Sequence, residues 1–368
     1  MGMNPTPINS QSSTFHVKSS IKIGSVWGIP IELHITFLLL MVAVFFLSYP
    51  DLYSFALTLF LFVFVVIHEL SHSVVARHYN IKVRDIVLYP IGGVSEIDEI
   101  PDRPSVEWRM AIAGPLVSLL MGGILFALGQ VISIETPAVP PFTTAGSLML
   151  DLANINLLLG AFNLVPAFPM DGGRVLRAFL AERMKFSDAT RYAATIGKIL
   201  GMVFAVFGAL YDFWLIIIGL FVYIGADEEE QSTIISTAIA GIRVKEVMYQ
   251  EVVSARPETT LADAMDMMFR ARYHDLLIEK DGIFQGIVAW DEIKKINPGE
   301  RAGMQVGQLP AKHISIFPDE SILEAYKIMA REGIDLLPVV DREVPDKVVG
   351  AVTNESVAYA YEKSKSVR

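Results

Sequence analysis

His68-Glu69-Leu70-Ser71-His72 closes an apolar run that extends from Phe55 to Ile67. On an α-helix, positions four apart share a face, offset by about 40° and roughly 6 Å, so His68 and His72 can reach one metal ion. Glu69, beside the first imidazole, is then placed to act as acid/base on a water at that metal. Two imidazoles and a carboxylate are costly in hydrocarbon, and ionisable residues in such a segment mark function. The pattern predicts a zinc hydrolase site set within a bilayer.

A catalytic zinc usually takes three protein ligands and a water. The 368 residues contain no Cys, which excludes thiolate zinc sites, disulfides, iron–sulfur clusters and Cys nucleophiles. The best source of the third ligand is Asn163-Leu164-Val165-Pro166-Ala167-Phe168-Pro169-Met170-Asp171-Gly172-Gly173-Arg174. Its two prolines break a helix, and Asp171 precedes a Gly pair and a helix expected from about Arg174 to Arg183. Asp171 has two readings, the N-cap of that helix or the missing ligand. The His-Glu-x-x-His pattern in the same region, with no better acidic candidate on that side, favours the ligand.

These residues need a scaffold, and the hydropathy pattern predicts one. A span takes about 20 mostly apolar residues. Candidates are Ile31–Tyr49, Phe55–Ala76, Trp108–Ile132, Ser147–Phe162, Tyr192–Leu210 and Phe213–Ala226, the last two turning at Tyr211-Asp212. The intervening stretches 48–54, 133–146 and 211–212 lack Lys and Arg, whereas Arg77, Lys82, Arg84, Arg103, Arg109, Arg174, Arg177 and Arg183 crowd the other side. The positive-inside rule then places both termini in the cytoplasm of a multi-pass cell-membrane protein. Between the second and third spans, Lys82–Ile100 is rich in β-formers with Gly92-Gly93 at its centre, predicting strands or a hairpin. A free strand edge there would accept an extended peptide.

Residues 1–20 are polar and Ser/Thr-rich, read as disordered. They are not a signal peptide, because the following apolar run is too long. The net charge of −10, with no basic stripe, argues against a nucleic-acid partner. The run Asp227-Glu228-Glu229-Glu230 reads as the start of a solvated linker, residues 227–242. His34 reads as an interfacial, hydrogen-bonded residue, and Asn154 and Asn156 as interhelical hydrogen-bonders.

Beyond Gln231 the composition turns mixed α/β and a repeat emerges. Arg256-Pro257-Glu258-Thr259-Thr260-Leu261-Ala262-Asp263-Ala264 parallels Phe317-Pro318-Asp319-Glu320-Ser321-Ile322-Leu323-Glu324-Ala325, and Met268 and Met329 keep the same offset of 61 residues. Each unit continues with a short strand (Leu276–Glu279; Leu336–Val340) and then Gly286-Ile287-Val288 or Gly350-Ala351-Val352.

Taken together, these segments resemble the site-2 proteases. The carriers are His-Glu-x-x-His in a second span, Ala113-Gly114-Pro115 in a third, Asn-x-x-Pro-x-x-Pro-x-Asp-Gly after a fourth, and Gly28-Ile29-Pro30-Ile31-Glu32-Leu33-His34 before the first. The repeats, with Val247-Met248 leading in, resemble a CBS-domain pair. The resemblance covers roughly Ile21 to Lys363. It implies a polytopic α-helical membrane domain (about six transmembrane helices, residues 21–226) with a small β-element, followed by a soluble α/β CBS-domain pair at 243–297 and 303–363. It further implies one Zn2+ held by His68, His72 and Asp171, Glu69 as catalytic acid/base, and Asn163 with Gly92 and Gly93 holding an extended substrate. The substrate class it implies is a transmembrane anti-sigma factor or transcription-factor precursor, cut by regulated intramembrane proteolysis. A homodimer through the CBS pair is a further expectation.

The adenosine-ribose signature of CBS repeats, Gly-h-h-Thr/Ser-x-x-Asp with h apolar, is degraded here. The first repeat reads Gly286-Ile287-Val288-Ala289-Trp290-Asp291-Glu292. The second, Gly350-Ala351-Val352-Thr353-Asn354-Glu355-Ser356, keeps only the hydroxyl of Thr353. Adenine-nucleotide sensing and a dimerisation or shielding role both stay open. The competing function is a CBS-regulated ion transporter using His68, Glu69, His72 and Asp171 as an ion site.

Overall fold

The computed structural model describes residues 20–49, 53–97, 103–135 and 145–366. They form two units that meet in sequence at Thr233 and Ile234. The expectation for residues 1–20 falls, except for Ser20, outside the described residues.

Every predicted apolar run contributes a helix, and all but the first lie wholly within one. These are α1 (Ile35–Ser48), α2 (Tyr53–His78), α3 (Pro104–Glu135), α4 (Ala145–Asn163), α6 (Phe186–Tyr211) and α7 (Phe213–Ile239), with the short α5 (Asp171–Ala181) between α4 and α6. Among the described residues, three helices are long and apolar enough to cross a membrane: Tyr53–His78, Pro104–Ile132 and Phe186–Tyr211. The turn at Asp212 is as expected, with its backbone extended and its N–H capping α6 on the Gly208 carbonyl.

The first run is shorter as a helix than the hydropathy suggests. Ile29–His34 is a strand, β2, which pairs antiparallel with β1 (Ser20–Val26) across a Trp27-Gly28 turn whose residues both have positive φ. Beside β2 lies β3 (Val83–Tyr89), parallel, and then β4 (Gly92–Ile97), antiparallel, giving the order β1-β2-β3-β4. The β-element is therefore a four-stranded sheet that also draws on residues ahead of α1. Ile29, Ile31, Ile86 and Leu88 are buried in it. β4 is an edge, with β3 on one side and no strand on the other among the described residues. His34 ends β2 and caps α1, its Nδ1 lying 2.7 Å from Thr36 Oγ1 and its ring stacking on Tyr89. Asn156 bonds back to Leu152 O within its own helix rather than across to another.

The acidic run does not start a solvated linker. It lies inside α7, where Glu229 Oε1 accepts from Arg177 Nη1 at 2.8 Å and Lys198 Nζ lies 2.9 Å from Glu230 Oε2. Glu230 is buried. Those partners are far away in sequence, so the charges look exposed on hydropathy alone.

In the second unit the repeat is visible element by element. Repeat one comprises β5 (Ser254–Ala255), α8 (Leu261–Ala271), β6 (Asp275–Lys280), β7 (Ile283–Ala289) and α9 (Trp290–Lys294). Repeat two comprises α10 (Ile322–Glu332), β8 (Leu336–Val340), β9 (Val348–Thr353) and α11 (Asn354–Ser366). Thr260 and Ser321 cap α8 and α10, and Arg272 and Gly333 end them in the left-handed conformation, so the repeat extends to the caps. Leu277, Phe284 and Ile287 share one core with Leu336, Val339 and Val352, which fuses the two repeats.

Candidate metal centre and its cavity

Helix α2 delivers His68 and His72 one turn apart, both buried, with ring centroids 4.9 Å apart. Asp171 arrives from the opposite side as the first residue of α5. Met170, not Asp171, is the N-cap, and no side chain caps the helix, so the carboxylate is free of the capping role. Its Oδ2 lies 3.1 Å from His68 Nε2 and 3.3 Å from His72 Nε2. The three ligand atoms lie within 4.8 Å of one another.

The partners of the other ring nitrogens decide what these contacts mean. His72 Nδ1 is 2.7 Å from the Met110 carbonyl, which can only accept, so Nδ1 carries a proton, and in the neutral ring Nε2 is the nitrogen left to bind a metal. Asp171 Oδ2 stands 3.3 Å from that nitrogen and 3.1 Å from His68 Nε2, so three ligand atoms converge as a shared cation would need. Ligand atoms about 2.0–2.1 Å from a tetrahedral zinc stand about 3.3 Å from each other, which matches the observed spacing. His68 Nδ1 meets Ser118 Oγ at 2.9 Å. Both imidazoles are thus oriented from behind by α3, as metal-bound histidines usually are. The chain's own donor set fits Zn2+.

Helix α3 can come this close because of Gly114. A Cβ there would fall 2.3 Å from His72 Nε2 and 2.6 Å from His68 Nε2. Met110, Gly114 and Ser118 are spaced by four, so one stripe of α3 backs the whole site.

A cavity of about 540 Å³ opens on the cluster and is lined by Glu69, Gly92, Gly93, Ser95, Asn163 and Arg174, among others. Glu69 lies beside the imidazoles on α2, and its Oε2 accepts from Ser95 Oγ at 2.7 Å. Gly92, Gly93 and Asn163, expected near substrate, all border this cavity; the Asn163 amide N–H bonds Leu159 O. Thr353 is remote in sequence and in the second unit. Its buried hydroxyl accepts from Ser356 N at 3.4 Å, at the start of α11.

Helix α5 is pinned by Arg177, which is buried. Its guanidinium meets Glu107 Oε1 at 2.6 Å and Glu229 Oε1 at 2.8 Å, and lies over the rings of Phe168 and Phe186 at 4.9 and 4.7 Å. Sequence reasoning singled out none of Ser95, Glu107, Ser118 or Arg177 for a role at the site. Only Ser118 left a signal, its four-residue step from Gly114.

Residues 56–138 and 141–207 match peptidase family M50, and residues 244–298 and 306–363 match the CBS domain. The chain is 38% identical over 314 residues to the zinc metalloprotease MJ0392 of Methanocaldococcus jannaschii, covering 84% of this chain and 88% of that protein. The chain belongs to peptidase family M50, the site-2 proteases, and carries a CBS-domain pair. It is also 31% identical over 308 residues to the putative zinc metalloprotease Rip3 of Mycobacterium tuberculosis, covering 79% and 76% of the two chains. Among solved structures, a site-2 protease from Methanocaldococcus jannaschii is 45% identical, with 57% of this chain and 95% of that chain covered at a TM-score of 0.46. As a site-2 protease the chain is a membrane zinc metalloprotease, and the ion-transporter reading falls away.

Proposed function

We propose that His68, His72 and Asp171 hold one zinc ion and that Glu69 moves the proton in hydrolysis of a peptide bond within a transmembrane segment of a substrate protein. The observation that carries this reading is the convergence of ligand atoms from His68, His72 and Asp171 within 4.8 Å of one another, with Glu69 bordering the same cavity. When bound, zinc supplies a Lewis acid that polarises the scissile carbonyl and acidifies the attacking water. Glu69 accepts the proton of that water and passes it to the leaving amine as the C–N bond breaks, giving a carboxylate and an amine. Asp171 and the two imidazoles, oriented by Ser118 and the Met110 carbonyl, keep their lone pairs convergent.

A substrate helix hides its carbonyls in internal hydrogen bonds and must unwind before attack. The free edge of β4, with Gly92 and Gly93 bordering the cavity, suits an unwound segment added as a further strand, and Asn163 borders it from the α4 side. The charge distribution favours six spans, cytoplasmic termini and cleavage near the cytoplasmic face. We assign the substrate class to anti-sigma-factor-like or transcription-factor precursors. The CBS pair we read as a regulatory or dimerising module. The Thr353 hydroxyl accepts from Ser356 N at the start of α11 and keeps its own proton to donate to the ribose of an adenine nucleotide.

The test is zinc content and cleavage of a generic transmembrane substrate by the detergent-purified chain, with and without Glu69→Gln. Stoichiometric zinc in both proteins, with turnover only in the wild type, is expected. Cleavage by Glu69→Gln at the wild-type rate, or wild-type protein that takes up no zinc, would overturn the assignment.

A further inference from the structure

The side chain of Glu69 is held by the strand that would receive the substrate. Alternate residues of a strand point to one face, so Gly93 and Ser95 of β4 face the same way. That face is turned to α2: a Cβ at Gly93 would stand 2.7 Å from Glu69 Cγ, and Ser95 Oγ donates to Glu69 Oε2 at 2.7 Å. Gly93 lets the strand close on the carboxylate, and Ser95 fixes which way the carboxylate turns. Its other oxygen, Oε1, has no hydrogen-bond partner among the described residues, so one oxygen is anchored while the second stays available for proton transfer.

We propose that Ser95 is a positioning residue for Glu69, tying the orientation of the proton-transferring carboxylate to the strand that pairs with substrate. The proposal rests on Glu69 having the role given above. A carboxylate that moves a proton must sit within hydrogen-bond reach of both the water and the leaving nitrogen, and small misplacements are costly. The outer edge of β4 fixes the substrate backbone, and its inner face fixes the base. One rigid element therefore sets the distance between them. The Ser95 hydroxyl is engaged by Glu69, and its backbone pairing is unchanged in an alanine variant, so loss of the hydroxyl should act on turnover rather than on binding.

The experiment compares wild type, Ser95→Ala and Ser95→Thr, each as the full chain in detergent, for zinc stoichiometry and for kcat and KM on a transmembrane substrate. A hydrogen bond to a charged group is worth about 10- to 100-fold in an equilibrium or rate. Ser95→Ala should lower kcat by at least about ten-fold, with KM within about two-fold and zinc stoichiometric. Ser95→Thr, which keeps the hydroxyl and suits a strand, should restore kcat. Unchanged kcat in Ser95→Ala, a change confined to KM, loss of zinc, or no rescue by threonine would each overturn the proposal. Glu69→Gln run alongside separates the two ideas: if it turns over substrate, the role of Glu69 itself has failed.

Discussion

Gly114→Ala puts a single methyl group where the two imidazoles converge. The added carbon would stand 2.3 Å from His72 Nε2 and 2.6 Å from His68 Nε2, against ordinary contact near 3.5 Å. Either the rings or α3 must give way by about 1 Å, whereas metal–ligand distances tolerate only about 0.2 Å. Displacements of that size cost about 100-fold in rate, and disturbing the supports of ligand histidines costs about 10- to 100-fold in metal affinity. The helix itself should not suffer, since Ala exceeds Gly in helix propensity by about 1 kcal/mol. Zinc affinity is read by competition with a calibrated chelator on detergent-purified protein, with circular dichroism confirming helix content. Expected are native helicity, a zinc Kd weaker by at least about ten-fold, and turnover reduced by about 100-fold. Wild-type zinc affinity and turnover in Gly114→Ala would show that α3 does not back the imidazoles as described.

Ser118→Ala removes the group at 2.9 Å from His68 Nδ1 and should weaken zinc binding by about 10- to 100-fold in the same competition assay, while melting as wild type does. Arg177→Met leaves Glu107 buried without its partner and should cost about 3–5 kcal/mol, read as a lower denaturation midpoint; Glu107→Gln combined with Arg177→Met should recover part of the loss. Asp275 in the second unit is pushed up to about 6 from 3.8 by burial, although its Oδ2 accepts from the backbone N–H groups of Asp335 and Leu336. Its folded form prefers the proton, so its contribution to stability is present below pH 4 and is lost as pH rises through 6. The shift of about two units corresponds to about 3 kcal/mol. Asp275→Asn, which cannot ionise, should therefore be more stable than wild type at pH 8 by up to about 3 kcal/mol, the gap closing near pH 4 in denaturant titrations.

Much of the site was legible because its chemistry and its periodicity coincide. His68 and His72 announce themselves by a four-residue step inside an apolar helix, and Asp171 by a carboxylate beside two prolines and a Gly pair. What the local pattern left undecided was whether Asp171 caps or ligates; the helix starts three residues earlier than the Gly pair suggests, so the carboxylate falls inside it and turns to the imidazoles. Ser95 and Arg177 were illegible for a different reason. Each acquires its role from a partner brought close only by the tertiary fold, Glu69 for the first, and Glu107 with Glu229 for the second. The same cause hid the burial of Glu230. The β1–β2 hairpin was obscured because Ile29, Ile31 and Leu33 carry the hydropathy of α1 upstream past Glu32 and His34, although the alternation of β2 and the Trp27-Gly28 turn were there to be read.

The central claim is that one zinc ion bridges α2 and α5 through His68, His72 and Asp171. Zinc K-edge X-ray absorption on the Glu69→Gln protein, with and without Asp171→Ala, addresses it directly. The account predicts two imidazole nitrogens and oxygen at about 2.0–2.2 Å in the first protein, and loss of stoichiometric zinc in the second. A metal shell that is the same with and without the Asp171 carboxylate would contradict it.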